Sequence, residues 1–160
     1  DIIVASPTEL TFAGKTYSCV VGRGGIGIKG REGDGITPVG AFPTLITYRP
    51  DILEKPKTQL TTHPIIPLDG WCDDPKHKKY NEEIKTSNKK LKENLHRKDN
   101  KYNYIISISH NEKKTPDKGS AVFIHLTDNY KPTAGCVALK KKDFEILLKL
   151  IDKKTKIKIG

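Results

Sequence analysis

Apolar and polar residues alternate in short runs along most of this chain, and a two-residue period predicts strands. "DIIVAS" is a short apolar run. "LTFAG" turns through Gly14 and Lys15 into "TYSCVVG", a hairpin-like pair of β-rich segments. In the second segment Tyr17, Cys19 and Val21 share one face, and Ser18 and Val20 the other. "YNYIISIS" and "SAVFIHL" are dense in β-branched and aromatic residues and read as strands. The second is nearly all apolar, which places it inside a sheet. "KIKIG" alternates as a closing strand.

Helical periodicity is scarcer. Near the C-terminus Asp143 stands as an N-cap, and Phe144, Leu147, Leu148 and Ile151 follow at i, i+3, i+4, i+7 spacing. A second, shorter helix is predicted from Ser87 to Arg97, capped by Ser87 or Asn88, with Leu91 and Leu95 on one face. "GRGGIGIKGREGDGITPVGAF" carries eight glycines in 21 residues, which excludes a long helix. A loop of that length points to function rather than connection. "TPVGAFPTLITY" resumes strand character, and the prolines of "PIIPLDGWCDDP" exclude a regular helix there. These elements predict one domain over residues 1–160. It is mainly β with helices, a mixed sheet or β-sandwich-like arrangement with helices packed on one side.

Charge modifies the picture only in part. The net charge is +10, and ten Lys or Arg stand against four Asp or Glu between Lys76 and Lys101. Acidic residues interrupt that run and few aromatics are interleaved to stack on bases, so it reads as a solvated lysine-rich surface. No nucleic-acid partner is expected, and a non-catalytic basic module binding an anionic polymer is the rival functional class. No run of 18 apolar residues occurs, so no transmembrane segment is expected. No methionine and no leader are present in the sequence. The expected compartment is the periplasm or cell envelope if a leader was removed, and the cytoplasm if not. A monomer is expected.

The chemistry rests on few residues. Cys19, Cys72 and Cys136 are odd in number and form no C-x-x-C pair, so neither a disulfide framework nor a zinc knuckle is predicted. Cys72, His77, His110 and His125 lack zinc-ligand spacing, so no metal and no cofactor are expected. Cys19 falls at a core position of a strand. Cys72 stands beside Asp73 and Asp74, which raise a thiol's pKa and make a poor nucleophile. His125 ends a strand pattern, and Cys136 follows eleven residues later, behind Gly135 and directly before apolar "CVAL". If the two segments are neighbouring strands, imidazole and thiol meet at the base of the connection. Cys136 is then the nucleophile, His125 its base, and amides around Gly135 and Cys136 the oxyanion donors. The competing reading is a buried thiol and a packed histidine. His110, after "IISIS", is the rival base.

Three segments give the chain a resemblance to the L,D-transpeptidase family, whose catalytic domain is called YkuD. Thr37, Pro38, Gly40 and Phe42 match its T-P-x-G-x-F segment; "VFIHL" is similar to the strand bearing its histidine; Thr133, Gly135 and Cys136 match its [S/T]-x-G-C segment. "GRGGIGIKGREGDGITPVG", "DGWCDDP", "YN" and "PTAGCVAL" together look like a compact proteobacterial branch. The resemblance runs from about Val20 to Ile151. It implies a β-sandwich-like catalytic domain with a cysteine nucleophile acting on peptidoglycan stem tetrapeptides or soluble muropeptides. The thiolate attacks the carbonyl between the diamino acid at position three and the terminal D-alanine. D-Alanine leaves, and an amine then gives a 3–3 crosslink, or water gives L,D-carboxypeptidase action, as in wall-fragment recycling. Carried over, Cys136 is the nucleophile, His125 the base, Gly135 part of the oxyanion hole and Thr133 the motif's hydroxyl. The gap between histidine and cysteine is shorter than usual, Ala134 stands where the family has a polar residue, and Ala138 where arginine or asparagine is usual. Arg23 or Arg31 would then pair with a stem-peptide carboxylate, and Asp73, Asp74 and Tyr80 would receive the ammonium of the diamino acid.

Overall fold

The computed structural model describes residues 1–160, apart from the side chains at positions 45–47. In chain order the strands are β1 (Ile2–Ser6), β2 (Glu9–Phe12), β3 (Lys15–Ser18), β4 (Ile26–Gly27), β5 (Thr37–Pro38), β6 (Gly40–Tyr48), β7 (Thr62–Pro64), β8 (Asp69–Cys72), β9 (Glu83–Lys85), β10 (Lys92–Asn94), β11 (Tyr104–Ile108), β12 (Phe123–Leu126), β13 (Val137–Leu139) and β14 (Lys156–Ile159). One α-helix, α1 (Lys141–Leu150), lies between β13 and β14, and a single 3-10 turn covers Pro116–Lys118. The protein is mainly β, 35% strand against 8% helix.

The main sheet runs β13-β12-β11-β6-β14-β1-β2-β3, with β7 added beside β6. Its hub is β6, nine residues long. Gly40–Pro43 pair with β14 and Thr44–Tyr48 with β11, both antiparallel. Just past β3, Val20 bridges Ala138 of β13, so the two ends of the sheet meet and it is nearly closed. That bridge protects two edges that would otherwise offer unpaired backbone groups.

Strand alternation divides the apolar residues between two cores. Tyr104, Ile106 and Ile108 of β11, Ile124 and Leu126 of β12, and Val137 and Leu139 of β13 enter the larger one. There they meet Phe144, Leu147 and Leu148 from α1, and the Tyr104 and Phe144 rings stack at 5.7 Å. The opposite face contributes Ile105, Phe123 and Cys136 to a smaller core with Ile65, Leu95 and Tyr102. A small sheet in the order β10-β8-β9 accompanies this second core, and Trp71 of β8 sets its ring edge-on to Phe123 at 5.2 Å. With both faces covered, β12 is buried throughout, as an apolar interior strand must be.

Two expectations are corrected. The segment from Ser87 to Arg97 is not a helix: Lys92–Asn94 form β10, antiparallel to β8. Two leucines were too small an apolar face to hold a helix against pairing with an available strand. The C-terminal helix starts earlier than predicted, with Lys140 at the N-cap, so Asp143 lies in the first turn rather than capping it. Its carboxylate still sits where the helix dipole favours negative charge.

Candidate active site

β12 and β13 are parallel neighbours, with Ile124 opposite Val137 and His125 opposite Ala138. The eleven-residue gap therefore carries the chain back so that both strands run the same way. Alternation puts Phe123, His125, Cys136 and Ala138 on one face, away from the larger core. Cys136 and His125 are each 7% exposed. The thiol donates to the Ala121 carbonyl at 3.3 Å, and its sulfur accepts from the Phe123 amide at 3.3 Å. His125 Nδ1 lies 2.9 Å from the Leu126 carbonyl, which can only accept, so Nδ1 carries the proton and Nε2 is the basic nitrogen.

The two groups share a face, but at rest the thiol points to a carbonyl; no thiol–imidazole hydrogen bond forms among the described residues. Burial pushes the Cys136 thiol up to about 12 and the His125 imidazole down to about 4. Both are neutral at neutral pH, so the site holds no preformed thiolate–imidazolium pair. The Tyr102 ring meets His125 edge-on at 5.2 Å and Phe123 at 5.9 Å.

The turn before the cysteine is braced by Thr133. Its hydroxyl donates to the Cys136 carbonyl at 2.6 Å and accepts from the Gly135 amide at 3.1 Å. The Gly135 N–H is thus committed within the turn, and of the two expected oxyanion donors only the Cys136 amide is left. Gly135 has φ of 145°, where a side chain is strained, and a Cβ there would lie 3.0 Å from the Ile36 carbonyl oxygen and 3.2 Å from Lys29 Nζ. The glycine-rich segment lies directly on this turn. The Arg23 amide donates to the Thr133 carbonyl at 2.9 Å and the Thr133 amide to that of Val21 at 3.0 Å. The buried hydroxyl of Thr37 accepts from the Gly22 amide at 2.8 Å, which ties the T-P-x-G segment to the start of the same loop.

Cys136 and Gly135 open onto a cavity of about 430 Å³, whose charged lining consists of Lys29, Glu32, Asp73 and Glu93. Burial, followed by the charges of Glu32 and Glu93, raises the Asp73 pKa. Tyr80 is buried; its hydroxyl bonds to the Glu32 carboxylate. Arg23 donates to the Gly33 carbonyl at 2.7 Å, Arg31 is exposed, and Asp74 accepts from the Lys76 amide at 2.9 Å. Those three do not line the cavity. Sequence reading missed Lys29, Glu32, Glu93 and Tyr102. The first two stand in the glycine-rich loop, where their charge was the available signal; Glu93 and Tyr102 carry none in their local sequence.

The remaining thiols and histidines stand apart. Cys19 is buried in the larger core and burial pushes its thiol up to about 11; Cys72 is fully buried and raised chiefly by burial. All three cysteines are free. His110 packs edge-on to Phe42 at 5.6 Å and lines a different cavity, so it is not placed to serve Cys136. Among the described residues no three His, Cys, Asp or Glu stand together as a metal-binding group, and no helix is long and apolar enough to cross a membrane.

Neither the comparison with curated proteins nor that with solved structures gives a match. A family model, the YkuD L,D-transpeptidase catalytic domain, matches residues 2–159. The match takes in the whole nearly closed sheet, the Thr37 anchor, the His125 strand and the Cys136 turn, so the chain belongs to the YkuD family of L,D-transpeptidase catalytic domains.

Proposed function

We propose that this protein is a cysteine-dependent peptidoglycan L,D-transpeptidase that takes stem tetrapeptides as acyl donors, with Cys136 as nucleophile and His125 as base. The YkuD family consists generally of cysteine-dependent peptidoglycan-modifying enzymes. The observation that carries the finer reading is the thiol of Cys136, at the floor of a charged cavity and on the same strand face as a neutral imidazole whose tautomer leaves Nε2 basic.

The thiol proton passes to His125 Nε2 as sulfur bonds to the carbonyl carbon, and the carbonyl π electrons move to oxygen. The oxyanion collapses, the carbon–nitrogen bond breaks, and the imidazolium proton goes to the departing D-alanine nitrogen. A thioester on Cys136 remains. An amine then attacks it, giving up a proton to His125, and the sulfur leaves with that proton. Leu126's carbonyl fixes the imidazole orientation throughout, since it accepts the Nδ1 proton.

The cavity's charge supports a diamino acid at position three. Glu32, Asp73 and Glu93 outnumber the cationic Lys29, which favours a ligand carrying an ammonium. In this reading Asp73 receives that ammonium and Tyr80 acts through Glu32. Arg31, exposed in the glycine-rich loop, meets a stem carboxylate, while Arg23 and Asp74 brace their own turns.

The test is incubation with a diaminopimelate-containing tetrapeptide, read by mass spectrometry, with Cys136→Ala as control. Loss of D-alanine with dimer formation supports the transpeptidase. Release of tripeptide alone assigns L,D-carboxypeptidase action to the same acyl-enzyme. Turnover that survives Cys136→Ala overturns both. Binding to an anionic polymer that falls steeply with salt and ignores Cys136→Ala would instead mark a basic binding module.

A further inference from the structure

We propose that the Lys29 ammonium is the second electrophilic group of the site, stabilising negative charge on the Cys136 sulfur and then on the carbonyl oxygen it attacks. The inference rests on Cys136 being the nucleophile. It starts from a deficit: the Gly135 amide, which should serve the oxyanion, is held by the Thr133 hydroxyl at 3.1 Å. Of the two expected main-chain donors only the Cys136 amide is left, where acyl transfer ordinarily uses two.

Lys29 is built to fill that place. It is 7% exposed, unusual for a lysine, and its ammonium forms an ion pair with Asp34 at 2.8 Å and donates to the Ile36 carbonyl at 2.9 Å. Two of its three protons are thereby committed, and the residue lines the same cavity as Gly135 and Cys136. The ammonium stands 3.2 Å from where a Gly135 Cβ would be, so the missing side chain is what lets the charge approach the turn. Asp34 is itself fixed by the amides of Gly30 and Ile36 at 2.9 and 3.0 Å, which anchors the cation rather than leaving it on a mobile stem.

The electrostatic surroundings give this cation a task. The cavity beside Cys136 is lined by the carboxylates of Glu93, Glu32 and Asp73, the phenol of Tyr102 and the cation of Lys29; the charge of Arg97 also reaches the thiol, and His125 lies on the same face of the neighbouring strand. Burial raises the thiol's pKa most and Glu93 adds to it, whereas the Phe123 amide, then Lys29 and Arg97, lower it. Arg97 is held by Glu93 at 3.2 Å and by Asp99, and covers the Tyr102 ring at 4.5 Å, so it acts from behind that ring. Lys29 is the cation on the cavity side.

The experiment neutralises the pair as a unit with Lys29→Met and Asp34→Asn together, which leaves no unpaired buried charge. Two readouts are taken: kcat/KM on the tetrapeptide, and the pH dependence of Cys136 alkylation by iodoacetamide, which needs no peptidoglycan substrate. The neutral pair is expected to lower kcat/KM about 10²- to 10³-fold, almost entirely in kcat, and to move the alkylation profile to higher pH. Lys29→Arg, which restores the charge, is expected to recover at least about tenfold of that loss. Wild-type kcat in the folded neutral pair, or no recovery with arginine, overturns the proposal. Should the double variant fail to fold, Asp34→Asn alone reads the same interaction with opposite sign. Releasing the ammonium from its carboxylate should speed alkylation at neutral pH, and unchanged or slower alkylation overturns the proposal. Loss of activity in Cys136→Ala alongside unaltered Lys29 variants leaves the nucleophile in place and removes only the role of Lys29.

Discussion

Asn81 accepts the amide proton of Ala121 at 3.2 Å, and the carbonyl of that same Ala121 receives the Cys136 thiol. The amide oxygen of Asn81 also accepts from the Trp71 indole at 2.8 Å, and its nitrogen donates to the carbonyls of His110 and Asn111 at 2.7 and 3.0 Å. Its φ of 60° is one that asparagine tolerates better than most residues. One side chain thus ties β8, the loop after β11 and the approach to β12 together behind Cys136. Asn81→Ala leaves these partners unsatisfied and is expected to cost about 2–4 kcal/mol of stability, read by urea denaturation. Asn81→Asp, which keeps the acceptors but faces two carbonyls with a carboxylate, should cost at least as much. A loss below about 0.5 kcal/mol in both would show that the network does not hold this face.

Gly135→Ala tests the turn rather than the sulfur. The added Cβ enters at a φ of 145° and meets the Ile36 carbonyl oxygen at 3.0 Å and Lys29 Nζ at 3.2 Å. The cheapest relief moves the Cys136 turn away from the glycine-rich loop. We expect kcat/KM to fall at least about a hundredfold while the far-ultraviolet spectrum is retained. Wild-type turnover in this variant would mean that the turn has more freedom than its contacts indicate.

How far the sequence could be read follows from which signals are local. Strands at Tyr104–Ile108, Phe123–Leu126 and Lys156–Ile159 announce themselves by composition and period, because each buries its own alternate residues. The face shared by Tyr17, Cys19 and Val21 was legible for the same reason, and all three lie in one core. The segment holding Leu91 and Leu95 was not: its state is decided by pairing with Asp69–Cys72, some twenty residues away, not by its own propensity. At the candidate site, the adjacency of the strands carrying His125 and Cys136 was legible because both stand in one supersecondary unit. Lys29, Glu93 and Tyr102 come from three other segments, and only the closure of the sheet and the small sheet over its face bring them to Cys136.

Tyr102 should separate packing from hydrogen bonding. Its ring lies against His125 and Phe123 and beneath Arg97, and its hydroxyl donates to Glu93 at 3.0 Å. Tyr102→Phe keeps every ring contact and is expected to cost about 1 kcal/mol. Tyr102→Ala opens a hole beside the imidazole and should cost about 3–5 kcal/mol. Where the alanine variant stays folded, at low temperature, its kcat should fall well below that of Tyr102→Phe, because His125 loses the surface that orients it. Equal kcat in the two variants would remove the ring from the catalytic geometry.

Stability should decline on both sides of a plateau, and the buried groups fix where. His125 and His110 both have folded-state pKa values of about 4 against an ordinary 6.5, lowered first by burial. Between those values the unfolded chain binds protons that the folded chain refuses, so stability is complete above 6.5 and is lost as pH falls toward 4. For His125 the loss is on the order of 3 kcal/mol. Asp34, held down by its hydrogen bonds to Lys29, Ile36 and Gly30 despite burial, extends the decline below its ordinary 3.8. On the alkaline side the sign reverses. The thiols of Cys19 and Cys136 stay protonated to about 11 and 12 in the folded state against an ordinary 9.0, so stability is complete below 9.0 and is lost as pH rises toward those values. Urea melts across this range should show a maximum between about pH 6.5 and 9. His125→Gln, which cannot take up the proton, should make the acid limb shallower, the shares of His110 and Asp34 remaining, while leaving the alkaline limb unchanged. Cys136→Ala should do the reverse. An acid limb as steep in His125→Gln as in the wild type would mean that the imidazole is hydrated in solution, and the proposed role of His125 as a dry, neutral base would go with it.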